Sequence, residues 1–306
     1  MSPDNPLPGT LFRGRLYSFF LGLAGIKRHF RRKLFSGGYP NQPDPPPDSL
    51  PKEFNSQVDL LQGRKVWTIS PRIHPSRQIV LYLHGGAYVA NINTIHWDLI
   101  KELIRRTNCA VVVPDYPLAP TDSWLQTYDF ITAAYHQLLE DCSPEDLVFM
   151  GDSAGAGLAL GFAQLLRNQS DPLPGQIILL SPWLDITLTN PSIPELAKRD
   201  RMLDLEALLA AGKAYAGELD AKDYRISPLY GDLQGLPRIS LFIGTRELLL
   251  ADARKFKSVM DERGLPLEYF EYPGMFHAWV TITRLPEARQ AMEQISELLL
   301  EPGNHN

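Results

Sequence analysis

Short apolar runs alternate with longer amphipathic stretches along most of this 306-residue chain, and this alternation restricts its fold more than any other feature. The runs suit buried parallel strands, because such strands are covered on both faces and are apolar throughout. The stretches between them carry apolar residues every three to four positions, as helices packed on a core do. Strands that alternate with helices predict an α/β fold with a mostly parallel central sheet flanked by helices.

The predicted elements follow one another in a regular order. A strand pair around a turn at 62–64 is predicted at 58–61 and 65–70. The buried strands are predicted at 79–83, 110–113, 147–150, 176–180, 239–243 and 268–272. The helices are predicted at 94–107, 123–139, 154–167, 251–263 and 286–300. Between residues 180 and 239 the alternation stops, although a helical stretch is found at 203–216, and this indicates an insertion.

The N-terminal part of the chain differs from the rest. The apolar run 16–26 has 11 residues, whereas about 20 are needed to span a bilayer. A cluster of basic residues from Lys27 to Lys33 follows it instead of a small-residue cleavage site, so we expect no cleaved signal peptide. We expect a helix that folds over the body of the protein, and a helix lying on an anionic membrane surface is the alternative. Six prolines within 40–51 predict a stiff connector.

The charge of the chain bears on its partners, and its cysteine content bears on its location. There are 35 acidic and 30 basic residues, which gives a net charge of −5 and no sequence-wide attraction to nucleic acid phosphates. Only two cysteines, Cys109 and Cys142, are present, so a secreted disulfide scaffold is not expected. We therefore predict a cytoplasmic location. A homodimer is compatible with the sequence.

The strongest local motif is Gly-Asp-Ser-Ala-Gly at residues 151–155, between a predicted strand and a predicted helix. A serine on such a strand-to-helix turn exposes its hydroxyl, and the motif is typical of a nucleophile elbow. The flanking glycines are needed because a Cβ there would collide with neighbouring backbone. We predict that Ser153 is a catalytic nucleophile.

A second motif, His-Gly-Gly-Ala-Tyr at residues 84–88, directly follows the strand at 79–83. Acyl transfer passes through an oxyanion that backbone N–H groups must stabilise, and glycines allow that backbone to come close. We predict that the amides of Gly85, Gly86 and Ala154 form the oxyanion hole.

A serine nucleophile needs a base, and the base needs a carboxylate, in the chain order serine, acid, histidine. Of the seven histidines only His277 and His305 follow Ser153, and His305 lies in a polar tail. His277 is therefore the predicted base. The acid is predicted to be Glu247, in the loop after the strand at 239–243, and Asp252 is the alternative because it lies where the next helix begins.

These motifs together resemble the hormone-sensitive-lipase-like family of α/β-hydrolases, the group that includes bacterial carboxylesterases and steryl-acetyl-hydrolase-like proteins. The resemblance extends over about 79–300. It includes Asp-Tyr-Pro-Leu-Ala-Pro at 115–120 and Ser-Pro-Trp-Leu-Asp at 181–185. Two positions depart from the family pattern: Ala87 replaces a third glycine, and Glu247 replaces the usual aspartate.

The resemblance implies an α/β-hydrolase fold and an esterase that acts on small-molecule esters with short to medium acyl chains and needs no cofactor or metal. It also implies a helical cap built from the N-terminal segment 1–51 and an insertion at about 191–225 of a catalytic domain that spans 52–306. Loop residues expected to border the site are candidates for an apolar substrate pocket or for core packing. They are Tyr88, Trp183, Leu184, Phe276 and Trp279.

Two other functions remain open. An amidase or formamidase would use the same residues on a different bond. A ligand receptor built on this scaffold, as certain plant hormone receptors are, would lack the catalytic histidine, whereas His277 is present.

Overall fold

The computed structural model describes residues 25–36 and 42–300, and it contains one eight-stranded sheet with helices on both faces. The strands are β1 (Asn55–Leu61), β2 (Arg64–Ser70), β3 (Ile79–Leu83), β4 (Ala110–Pro114), β5 (Leu147–Asp152), β6 (Gln176–Leu180), β7 (Arg238–Gly244) and β8 (Glu268–Tyr272). The helices are α1 (Ile26–Phe35), α2 (Leu50–Glu53), α3 (Thr94–Thr107), α4 (Trp124–Leu139), α5 (Ala154–Gln169), α6 (Ile193–Arg199), α7 (Leu205–Ala216), α8 (Leu250–Glu262) and α9 (Pro286–Leu300). The predicted α/β fold with a mostly parallel sheet is confirmed.

The strand order is β1-β2-β4-β3-β5-β6-β7-β8. The β1–β2 and β2–β4 pairs are antiparallel, and every other pair is parallel. The register pairs Leu83 with Gly151, Asp152 with Leu180, and Gly244 with Tyr272. The loops that follow β3, β5, β6, β7 and β8 therefore leave the sheet at one shared edge.

Two apolar layers enclose the sheet, as the period-two geometry of a strand requires. Along β3, Leu81 and Leu83 belong to the layer with α4, α5, α7 and α8. Val80 and Tyr82 belong to the opposite layer with α3 and α9. Burial on both faces explains why the strands are continuous apolar runs rather than alternating ones.

The interval between β6 and β7 contains α6 and α7, and α1 packs against α7. Lys27 Nζ donates to the Ala197 carbonyl at 2.9 Å, and Arg31 pairs with Glu206. Helix α1 thus lies on the insertion, whereas residues 42–51 contact the region of α3, where Trp97 Nε1 donates to the Asp44 carbonyl at 2.9 Å. Residues 1–24, which include most of the run 16–26, lie outside the described residues. Helix α6 was missed in the sequence because its seven residues make fewer than two full turns, too few to show a helical period.

No helix within 25–36 and 42–300 has both the length and the apolar character that crossing a membrane requires.

Candidate active site

Ser153 lies between β5 and α5 in a backbone conformation that side chains rarely adopt, with φ 53° and ψ −119°. The glycines around it are required by contact. A Cβ on Gly151 would lie 2.6 Å from the Leu83 carbonyl oxygen, and a Cβ on Gly155 would lie 2.0 Å from the same atom. The turn therefore packs directly on the end of β3, as the nucleophile elbow predicts.

The three side chains singled out in the sequence meet at the carboxyl edge of the sheet. His277 Nε2 lies 2.9 Å from Ser153 Oγ, and His277 Nδ1 lies 2.6 Å from Glu247 Oε2. All three residues are at least 95% buried. Since a carboxylate only accepts, Nδ1 carries the proton in the neutral ring and Nε2 is left to accept one from the serine hydroxyl.

Glu247 is held by two further hydrogen bonds through its other oxygen. Oε1 accepts from the Gly244 N–H and from Ser181 Oγ, both at 2.8 Å. Ser181 Oγ in turn accepts from the Ala278 N–H at 3.0 Å. One hydroxyl at the end of β6 therefore joins the loop that carries the acid to the loop that carries the histidine.

Asp252, the alternative acid, is not in contact with His277. It lies on α8, where Oδ1 accepts from Asn190 Nδ2 at 3.0 Å. Burial and the nearby Asp185 raise the pKa of Asp252 to about 6. The geometry favours Glu247 over Asp252 as the partner of the imidazole.

Burial and neighbouring carboxylates have opposite effects on the pKa of His277. Burial lowers its pKa, whereas the Glu247 carboxylate and, more weakly, Asp200 and Asp152 raise it, and the net pKa lies above the ordinary 6.5. The carboxylates therefore favour the imidazolium form of the ring.

The loop after β3 departs from the expectation for Gly85. Its N–H donates to Asp152 Oδ1 at 2.8 Å, so this amide, predicted to be an oxyanion donor, already has an acceptor. Among the described residues, none accepts a hydrogen bond from the Gly86 amide or from the Ala154 amide at the first turn of α5. Gly86 has φ 126°, and a Cβ there would lie 2.3 Å from the Ala90 carbonyl oxygen. Two of the three predicted donors are therefore left for an oxyanion.

Asp152 was not identified from the sequence, although it lies inside the motif at 151–155. Its Oδ1 also accepts from Tyr82 Oη at 2.6 Å, and His96 Nε2 lies 3.6 Å away. Burial raises the pKa of Asp152, but His96, Tyr82 and the Gly85 amide lower it more, to about 2. This carboxylate thus remains charged and ties the loop after β3 to the residue next to the nucleophile.

The buried side chain of His84 also stabilises the loop after β3. Burial lowers its pKa to about 3, so the ring is neutral, and Nδ1 lies 2.8 Å from the Gly85 carbonyl oxygen, to which it donates. The ring stacks on Tyr116, whose hydroxyl donates to the His84 carbonyl. His84 is therefore a structural residue of the turn rather than a proton-transfer group.

The five apolar candidates are all at most 1% exposed, and the structure separates them into two groups. Tyr88, Trp183 and Leu184 lie in the same apolar layer as the insertion, and Tyr88 stacks on Tyr215 of α7 with ring centroids 3.8 Å apart. A Cβ on Gly157, one turn beyond Ser153, would lie 2.1 Å from the Trp183 carbonyl oxygen and 3.1 Å from Tyr88 Oη. This group therefore packs beside the start of α5.

The second group, Phe276 and Trp279, belongs to the opposite apolar layer, where Trp279 contacts Tyr272. Although both residues flank His277 in the chain, their side chains pack with α3 and α9. For these two the structure favours the core role that the sequence left open.

A nucleophile elbow, a histidine and a carboxylate at the carboxyl edge of a parallel sheet, together with a glycine loop after β3, define an α/β-hydrolase. Comparison with known proteins agrees: the chain belongs to the alpha/beta hydrolase fold family, whose sequence profile matches residues 80–281.

Among α/β-hydrolases, the relatives that this chain resembles are described as ester hydrolases. An esterase of Acinetobacter venetianus is 36% identical over 228 residues, which cover 72% of this chain and 74% of the relative. An acetyl-hydrolase of Streptomyces hygroscopicus is 35% identical over 72% of this chain and 76% of the relative. The crystal structure of an esterase from the bacterial hormone-sensitive lipase family superimposes with a TM-score of 0.78 at 28% identity, covering 96% of this chain and 98% of that one. The chain is thus a carboxylic-ester hydrolase of the hormone-sensitive-lipase-like group.

Proposed function

We propose that the protein is a serine carboxylesterase that hydrolyses short- to medium-chain acyl esters, acetyl-like esters among them, through an acyl-enzyme intermediate. The observation that carries this proposal is the hydrogen-bonded series from Ser153 Oγ through the His277 ring to Glu247. The names of the relatives, esterase and acetyl-hydrolase, support the bond type and the small acyl group.

In the first half-reaction Ser153 Oγ attacks the ester carbonyl carbon while His277 Nε2 takes the hydroxyl proton. The carbonyl oxygen becomes an oxyanion that the amides of Gly86 and Ala154 stabilise, and the dipole of α5 favours the same charge. Glu247 stabilises the imidazolium without itself taking the proton. The C–O bond to the alcohol then breaks, and His277 gives its proton to the departing oxygen.

In the second half-reaction a water molecule attacks the acyl-enzyme. His277 Nε2 removes a proton from that water, the oxyanion forms again at the same amides, and the bond to Ser153 Oγ breaks as the proton returns to it. The carboxylic acid leaves and the enzyme is restored.

The site's surroundings support an acyl group of limited size. Tyr88, Trp183 and Tyr215 are each at most 1% exposed, the Tyr88 ring stacks on both of the others, and Tyr88 and Trp183 lie against Gly157 near the start of α5. An acyl chain that enters on this side meets stacked aromatic rings, so we expect turnover to fall as the chain lengthens.

Ser153→Ala tests the proposal directly. The variant is expected to lose turnover of p-nitrophenyl acetate and butyrate and to lose labelling by a fluorophosphonate probe, while its circular dichroism and melting temperature stay close to those of the wild type. Retained turnover would refute the assignment. A p-nitrophenyl ester series of increasing chain length then measures the acyl limit.

The same residues could attack an amide, so an amidase or formamidase is the second candidate. The two are separated by comparing kcat/KM for matched ester, amide and formamide substrates. A receptor without catalysis is a third candidate, and it is disfavoured because His277 lies within hydrogen-bond distance of both Ser153 and Glu247.

We also propose peripheral contact with anionic membranes through α1. Its Arg28 and Arg32 are exposed, as is Phe35 at 59%, in a chain whose net charge is −5. Cosedimentation with phosphatidylglycerol vesicles, which Arg28→Glu and Arg32→Glu should weaken, tests this contact.

A cytoplasmic location and a homodimer are the remaining proposals. Both cysteines of the chain are unpaired, as expected of a reducing compartment. Cell fractionation tests the first proposal, and analytical ultracentrifugation tests the second.

A further inference from the structure

Asp200 is a buried carboxylate of the insertion whose side chain points toward the catalytic loops. It follows directly after α6 and is 2% exposed. Its Oδ1 accepts from the N–H groups of Met202 at 2.8 Å and Leu203 at 2.9 Å, which closes the turn between α6 and α7. Its Oδ2 accepts from the Leu248 N–H at 2.9 Å.

Leu248 is the residue next to Glu247, so this last bond joins the insertion to the loop that carries the proposed acid. The rest of that loop is held from the histidine side: the Arg246 N–H donates to the Met275 carbonyl at 2.9 Å, and the Thr245 N–H donates to the Tyr272 carbonyl at 3.1 Å. Asp200 therefore holds the backbone of the acid loop from the side opposite to the histidine loop.

The three partners of Asp200 are all donors, which is the pattern of an ionised carboxylate. Burial raises the pKa of Asp200, and although the three amides and His277 act in the opposite direction, the net pKa lies above the ordinary 3.8. The influence is mutual, because Asp200 is also among the groups that raise the pKa of His277. A negative charge on Asp200 therefore favours the protonated form of the imidazole.

From this geometry we infer that Asp200 is a positioning residue for catalysis: it holds the acid loop through Leu248 and adds a further negative charge, beside those of Glu247 and Asp152, that stabilises the His277 imidazolium. The inference rests on the proposed Ser153–His277–Glu247 mechanism. It assigns to the insertion a part in catalysis that is separate from covering the substrate.

An amide side chain cannot replace this carboxylate. Asn offers one accepting oxygen, so Asp200→Asn leaves either the Leu248 amide or the turn at 202–203 without an acceptor, and it also removes the charge. A shift of the acid loop would move Glu247, and small displacements of catalytic groups cost up to about a hundredfold in rate.

Other charged groups face these residues, and they remain unchanged in the variant. Glu247 and Asp152 act on His277 in the same direction as Asp200. The charged groups that line the cleft beside Asp200 are Lys27, Arg28, Arg31, Arg201 and Asp204.

The test compares Asp200→Asn with the wild type in kcat, KM and the pH dependence of kcat/KM for p-nitrophenyl acetate. We expect kcat to fall by about ten- to a hundredfold with KM little changed. We also expect the acid limb of the profile to move to lower pH, because removing a negative charge lowers the pKa of His277.

Asp204→Asn is the matched control. It removes a carboxylate from the same insertion, where Oδ1 caps α7 by accepting from the Ala207 N–H at 3.0 Å, a bond that Asn can also make. Its other oxygen, Oδ2, lies 3.8 Å from Arg31 Nη1 of α1. This variant is expected to keep both kcat and the acid limb of the wild type.

A wild-type profile for Asp200→Asn, or a fall in kcat without movement of the acid limb, would overturn the inference, since the second result describes a purely structural residue. Should Asp200→Asn not be recovered folded, Asp200→Glu serves instead. It keeps the charge but displaces it by one carbon, so the acid limb should stay in place while kcat falls, and an unchanged kcat would count against positioning. Failure of the wild type to react with a fluorophosphonate would instead refute the proposed function.

Discussion

His277 and Glu247 are joined by a 2.6 Å hydrogen bond between Nδ1 and Oε2, although thirty positions of the chain separate them. The bond orients the ring so that its other nitrogen faces Ser153. We therefore expect Glu247→Gln, which removes the charge and favours the wrong tautomer, to lower kcat by roughly 10³- to 10⁴-fold.

Asp252→Asn is the matched comparison for that variant, since Asp252 is also a buried carboxylate near the start of α8 but bonds to Asn190. It should retain most of the wild-type activity. Steady-state kinetics on p-nitrophenyl acetate measures both variants, and the opposite order of effects would reassign the acid.

The pH dependence of catalysis follows from the raised pKa of His277. The protonated ring cannot accept the Ser153 proton, so kcat/KM should fall as the pH drops through the pKa of the ring, at a pH above the ordinary histidine value of 6.5. A profile measured between pH 5 and 9 at constant ionic strength tests this, and an acid limb centred below 6 would contradict it.

Gly155 has no room for a methyl group, because an added Cβ would lie 2.0 Å from the Leu83 carbonyl oxygen and 2.5 Å from that of His84. We expect Gly155→Ala to disrupt the elbow and abolish ester hydrolysis. At Gly264, where φ is 64° and nothing lies within 4 Å, Gly264→Ala should cost only about 1 kcal/mol of backbone strain and leave activity intact. Activity assays and thermal melts of both proteins check the contrast.

Asp152 contributes stability that depends on pH. Its pKa in the folded protein is about 2, below the ordinary 3.8, so the contribution is present above pH 4 and is lost as the pH falls through 2. This difference corresponds to about 2 kcal/mol. The free energy of unfolding of the wild type and that of Asp152→Asn, both measured by urea unfolding, differ by some amount at pH 5. That difference should shrink by about 2 kcal/mol at pH 2. A gap that stays constant over this range would mean that the Tyr82 and Gly85 hydrogen bonds do not depend on the charge.

Much of the fold could be read from the sequence because the signals are local. Strands β3, β6 and β8 and helices α3 and α9 begin and end where periodicity placed them. The proposed nucleophile and base, which the structure brings within 2.9 Å of each other, could be named for a similar reason: a strand-turn-helix motif surrounds Ser153, and chain order leaves His277 as the candidate base. Glu247 was separable from Asp252 because it lies in the loop rather than on the helix.

The supporting residues were beyond sequence reasoning because their partners are distant in the chain. Ser181 and Glu247 are 66 positions apart, and Asp200 and Leu248 are 48 apart. The Gly85 amide and the Asp152 side chain that accepts its hydrogen bond are likewise 67 positions apart. No local pattern specifies which donor meets which acceptor over such intervals.

The amino-acid sequence by itself determined the order of strands and helices, the strained serine turn and the choice of Ser153, His277 and Glu247 as the proposed reacting side chains, since periodicity, glycine placement and chain order are properties of neighbouring residues. Only the tertiary structure decided which amides remain free for an oxyanion, which aromatic rings lie beside the nucleophile and which carboxylate of the insertion holds the acid loop. Those choices depend on how the loops at one edge of a parallel sheet pack against each other, and such packing is fixed by contacts between distant segments.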